Sequence, residues 1–130
     1  MDKAQAIHKF WSLFQETEKS GSVIWQAYDE YSVPDGAKYP YITYNVSTDS
    51  LGHPLPLTAS LWDRNTSWKR ITEKADQVSE LIGYGYHTEK ADDGYLYIVR
   101  GSAFAQRMND PNDDSVKRIY LNIIAEFLTS

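Results

Sequence analysis

"LTASLWDRNTSWKRITEKADQVSELI", Leu57 to Ile82, changes its repeat part-way along. In the first part Leu57, Ala59 and Leu61 alternate with Thr58, Ser60 and Trp62, the two-residue period of a strand with one buried face. From Trp68 onward Trp68, Ile71, Ala75, Val78, Leu81 and Ile82 recur at three- and four-residue steps, the period of a helix with its charges opposite. Between them lies "DRNTS", whose Asn65 and Thr66, with Ser67 next, are side chains suited to cap a helix. Gly83 or Gly85 is placed to close it. The join therefore predicts a strand-to-helix corner without catalytic features of its own, and a crossover that carries the chain back over a sheet.

The flanking segments fill in that sheet. "YITYNVST" alternates Tyr41, Thr43 and Asn45 with Ile42, Tyr44 and Val46, and the turn "DSLGHP" joins it to the strand Leu55 to Trp62 as an antiparallel hairpin. Before it, "VIWQAY" (Val23 to Tyr28) predicts a short strand, followed by a loop around Pro34, Asp35 and Gly36. Ala4, Ile7, Phe10, Trp11 and Phe14 form one helical stripe from Lys3 to about Lys19, with Gly21 as its cap. After the crossover, "GYLYIVRGSAF" (Gly94 to Phe104) predicts a strand and "NDPNDDS" (Asn109 to Ser115) a turn. In "VKRIYLNIIAEFL", Ile119, Leu121, Ile123, Ala125 and Phe127 alternate as in a strand, although Ile119, Ile123 and Phe127 also suit a helix. The expected fold is a single α+β domain over residues 1–130, a mostly antiparallel sheet with two helices on one face, in the order α-β-β-β-α-β-β.

Bulk properties narrow the function. One domain of 130 residues can bury an adequate core without cross-links, and the chain has no cysteine for disulfide, thiol or cysteine–metal chemistry. A net charge of -5 gives no general attraction to nucleic acid phosphates. No apolar run approaches the ~20 residues of a membrane span, and "MDKAQAIHKFWSLF" carries charges within its apolar stretch, unlike a signal peptide.

Candidate sites are few. Asp110, Asn112 and Asp114 match the first three positions of a calcium loop, but Ser115 stands where Gly is needed and Leu121 where Glu is needed, so a turn is expected and no metal. His8, His53 and His87 are far apart and read as surface or edge residues. "GYGYH" follows a helix and lacks the third Gly of a dinucleotide loop. The acidic pairs Asp29-Glu30, Asp92-Asp93 and Asp113-Asp114 are adjacent in sequence and suggest no acid/base couple. No catalytic residue, cofactor or metal site is nominated. The 10 Tyr and 4 Trp remain. Helices can cover only one face of a sheet, so tyrosines on the other stay partly open, as at protein interfaces or, alternatively, in a carbohydrate-binding module.

The run "YITYNVSTDSLGHPLPLTASLWDRNTSWKRITEKADQVSELI", with "YPYITY" after a Pro-Asp-Gly loop and "GYLYIVRGSAFAQRMNDPNDDSVKRIYLNIIAEFL" at the end, resembles tail-terminator (tail-completion) proteins of long-tailed bacteriophages and prophages. The resemblance covers nearly the whole chain, through architectural rather than chemical motifs. It implies a non-enzymatic protein of the virion tail, made in the host cytoplasm, that caps the tail tube as a ring, usually of six copies. Its implied partners are other copies of itself, the tube protein and the head-tail connector; the genome passes through without sequence-specific contact, and a related head-tail joining role is equally compatible. Ring contacts are expected at loop tips, with Asp35, Gly36 and Lys38 in one and Arg107, Asp110, Asn112 and Asp113 in the other.

Overall fold

A computed structural model describes residues 2–17, 23–47 and 54–129. Asp2 opens helix α1 (Lys3–Ser12) with a reciprocal capping box: its carboxylate accepts from the Gln5 amide at 2.8 Å, and the Gln5 side chain accepts from the Asp2 amide at 2.8 Å. The helix stops at Ser12, short of the expected Lys19, because the following residues serve the sheet. The Gln15 side chain accepts the Ala27 amide at 3.1 Å, and Glu16–Thr17 form a short strand, β1, against β2 (Val23–Asp29). The proposed Gly21 cap and residues 49–53 of the "DSLGHP" turn, His53 included, lie outside the described residues.

The other strands are β3 (Tyr41–Tyr44), β4 (Leu55–Arg64), β5 (His87–Ala91), β6 (Gly94–Asp110) and β7 (Asp113–Thr129), with α2 (Lys69–Ile82) between β4 and β5. Together they make a seven-stranded sheet in the order β1-β2-β3-β4-β7-β6-β5. All pairings are antiparallel except β2 with β3, which runs parallel from Gln26↔Tyr41 to Asp29↔Tyr44. The α+β class with two helices on one face of a mostly antiparallel sheet therefore holds, with β1 and β5 added to the expected order. The last segment is a strand, as its alternation predicted.

The turn expected over Asn109–Ser115 is tighter than the sequence suggested: β6 runs to Asp110, β7 starts at Asp113, and only Pro111 and Asn112 join them. Farther along, five steps on β6, Arg100 to Ala105, span two on β7, Ile123 to Leu121, so three residues are extruded. Asn122 secures this bulge by donating from Nδ2 to the Ala103 carbonyl at 2.9 Å. Gly101 passes so close that a Cβ there would lie 3.0 Å from the Asn122 carbonyl oxygen.

One core lies between sheet and helices. Its floor includes Ile42, Leu61 and Ile119, which are register neighbours across β3, β4 and β7. Ile7, Phe10 and Trp11 of α1 and Ile71, Ala75, Val78 and Ile82 of α2 close it from above. Leu81, expected inside, is 40% exposed, because Ile82 takes the inward position at the end of the stripe. Trp68 is only half-buried, at the edge of the core. Neither helix, among the described residues, is long and apolar enough to cross a membrane.

The corner after β4 is held by polar contacts. Asn65 Oδ1 accepts the Ser67 amide and Ser67 Oγ accepts the Lys69 amide, each at 3.1 Å, so Ser67 supports the start of α2 although Trp68 is the cap position. Asp63 is fully buried beneath that first turn and takes two hydrogen bonds from Arg70, one of them at 3.1 Å. Arg70 is the exposed partner, at 42%. Removing it strands a buried carboxylate, whereas removing Asp63 merely releases a cation to water.

Arg70→Ala is accordingly expected to cost about 3 kcal/mol or more in denaturant unfolding, with Asp63→Ala costing less. Gly101→Ala should cost about 1–3 kcal/mol in the same measurement, since the neighbouring atoms are the backbone and Cβ of Asn122, which cannot swing away.

Candidate interaction surface on the open sheet face

Alternation sends the other half of each strand to the face that no helix covers. Register aligns Tyr41, Trp62, Arg118 and Met108 in one row across β3, β4, β7 and β6, and Thr43, Ser60, Tyr120 and Gln106 in the next. These rows are bonded to each other. Trp62 Nε1 donates to Thr43 Oγ1 at 3.0 Å and Arg118 Nε donates to Ser60 Oγ at 3.0 Å. The Arg118 guanidinium lies 4.6 Å from the Trp62 ring centroid and 5.5 Å from that of Tyr120. Tyr41 packs between Tyr39 at 5.2 Å, Tyr28 at 6.0 Å and Trp62 at 6.4 Å. Burial first, and then the neighbouring Tyr39, raise the Tyr41 pKa above that of a free phenol. The patch forms the floor of a hollow of about 510 Å³, with Glu30 and Val33 at one side.

At one end of this face Arg64 joins two distant loops. Its guanidinium lies 5.2 Å from the Tyr39 ring centroid and donates to Asp113 Oδ2 and to Ser115 Oγ, both at 2.9 Å. The loop holding Asp35, Gly36 and Lys38 is thereby tied to the turn holding Asp110, Asn112 and Asp113. Asp35, Gly36 and Lys38 are exposed. In the turn, Asp110 Oδ1 accepts the Asn112 amide at 2.8 Å, and Asp113 Oδ1 accepts the Ser115 amide at 2.9 Å and its hydroxyl at 2.6 Å. These carboxylates hold the turn's own backbone, the role the sequence assigned to the segment. Among the described residues no group of His, Asp and Glu is placed to hold a metal ion.

Arg107 does not join them. It sits on the helix side of β6, 4.9 Å from the Trp68 ring centroid, where Lys117 approaches the same ring at 5.5 Å. The sequence missed Arg64, Trp62 and Arg118. The alternation of Thr58, Ser60, Trp62 and Arg64 was a signal that could have found the first two, had the polar side of the strand been read as a surface.

Several titratable groups elsewhere are built into the fold. Lys74 is 1% exposed and donates to the Phe14 carbonyl at 3.0 Å, to Gln77 Oε1 at 2.8 Å and to Glu16. The sequence had placed it among the solvent-facing charges of α2. His8 on α1 and His87, which opens the edge strand β5 as expected of an edge residue, are both part-buried: His8 Nδ1 lies 2.6 Å from the Tyr44 hydroxyl, and His87 Nε2 lies 2.8 Å from the buried Glu89. Tyr44 is itself in the core, at 5% exposure, because its strand alternates inward there.

No protein-family model matches the chain, and comparison with curated proteins returns no match.

The Asp113 carboxyl is held below its usual 3.8, first by the Ser115 side chain and amide and then by Arg64. Its contribution to stability is present above that ordinary value and disappears as pH falls through the lower folded-state value. A side-chain NMR titration should therefore give Asp113 a midpoint under 3.8. Ser115→Ala should raise that midpoint more than Arg64→Ala does.

Proposed function

We propose that this chain is a non-enzymatic structural protein that caps a phage tail tube as a ring, ending elongation and offering a surface for head joining. The observation that carries this reading is the union of two loops far apart in sequence, residues 30–40 and the 111–112 turn, through Arg64 at one end of a broad sheet. A rim fixed in this way suits repeated docking against identical neighbours, because little loop entropy remains to be lost on contact. The outer half of β6 supports the same reading. Beyond Ile98 it has no strand partner on the side away from β7 among the described residues, which leaves backbone donors and acceptors open to another chain. A net charge of -5 suits a conduit through which DNA slides without being gripped. Partners on this reading are further copies of the chain, the tube protein and the head connector, in a virion assembled in the host cytoplasm.

Carbohydrate binding is the second reading, and the aromatic hollow is what favours it. Against it, Trp62 already carries Arg118 over its ring and Tyr41 beside it, so the flat surface on which a sugar would stack is occupied.

The test is deletion of the gene from the phage or prophage that carries it, with electron microscopy of the particles. Tails of uncontrolled length, or full heads separate from tails, are expected. Normal virions would overturn the proposal and turn attention to glycan binding.

A further inference from the structure

The open face holds a cation, Arg118, that makes no ion pair among the described residues, with Glu30 at the side of the same hollow. Arg118 is fixed by Ser60 and by two aromatic rings, and no carboxylate lies within ion-pair distance of it among the described residues. An arginine immobilised on aromatic faces has little further freedom to lose on binding, and its planar fork matches a carboxylate. Tyr, Trp and Arg are also the residue types that dominate interface energetics.

The chain carries the complement on its opposite side. The outward face of α2 presents Glu73, Asp76 and Glu80, all exposed, with no ion-pair partner among the described residues. Leu81 lies beside Glu80 and is 40% exposed. Glu73, Gln77, Glu80 and Leu81 share one stripe at helical spacing, so carboxylates flank an apolar side chain. An aromatic floor with a fixed arginine fits such a stripe in both charge and polarity.

We infer that the Trp62–Arg118–Tyr120 hollow of one copy receives the outer face of helix α2 of a second copy, with Arg118 meeting a carboxylate of Glu73, Asp76 or Glu80 and Leu81 entering the hollow beside it. The hollow and α2 are on opposite faces of the sheet, so the contact is heterologous and propagates head to tail, closing as a ring or continuing as a filament. This deepens the ring reading and rests on it for self-association. The ion pair makes the contact salt-sensitive.

The experiment is sedimentation velocity of the full chain over a wide concentration range, at low and high salt. Three samples are compared with the wild type: Arg118→Glu, the double variant Glu73→Lys/Glu80→Lys, and an equimolar mixture of the two. The wild type should associate, less strongly at high salt. Each variant alone should associate at least about tenfold more weakly, and the mixture should recover association because the reversed charges match again. Association of the wild type with both variants unchanged, or no recovery in the mixture, overturns this docking mode while leaving self-association standing. A wild type that stays monomeric throughout removes both. Should Arg118→Glu fail to fold by circular dichroism, the double variant alone decides, since its positions are exposed and outside the core.

Discussion

The pairing of β4 with β7 is the constraint on which the rest depends. Ten register pairs run without interruption from Leu55↔Ala125 to Arg64↔Val116. Because side chains alternate with a period of two, this ladder assigns Leu57, Leu61, Ile119 and Ile123 to the core and Trp62, Ser60, Arg118 and Tyr120 to the opposite face. A slip of one residue would exchange the two sets, exposing the aliphatic floor and burying an arginine. The position of both helices, the hollow and the meeting of Arg64 with Asp113 all follow from that single register.

Apolar packing does not act alone in holding the helices down. Three buried or nearly buried charges each bridge separate elements: Asp63 of β4 to Arg70 of α2, Lys74 of α2 to Glu16 and the Phe14 carbonyl beyond α1, and Glu89 of β5 to Lys9 of α1 at 3.6 Å. Each is satisfied, so burial does not leave an orphaned charge. Such clamps add little net stability over an apolar equivalent, yet they penalise any rearrangement that separates the partners. On the open face the balance differs, because Arg118 is fixed by uncharged groups.

Sheet edges are treated unequally. On β2, the Gln15 side chain satisfies the Ala27 amide and β1 covers the strand's first residues. On β6, β5 covers only Gly94 to Ile98, and the bulge between Arg100 and Ala105 resets the strand before its outer half. Among the described residues, a covered edge at one side of the sheet and a long free one at the other is an asymmetry consistent with directional contacts between copies.

Periodicity made β3, β4, β7 and α2 legible, because each has one apolar face and the repeat of that face is a local property of the chain. The reversal at Pro111 and Asn112 was legible too, through turn-forming side chains that bond their own backbone. The early end of α1 was not, since Phe14 continues the helical stripe while Gln15 and Glu16 are drawn off by Ala27 and Lys74, distant in sequence. Nor was the parallel pairing of β2 with β3, nor the split of the nominated residues that leaves Arg107 on Trp68 and joins the two loops through Arg64. The sequence by itself determined which residues have an inside and an outside, because that depends on the spacing of apolar side chains along the chain. Only the tertiary structure decided which outsides share a surface, because strand register and crossover topology bring together residues whose separation in sequence carries no such information.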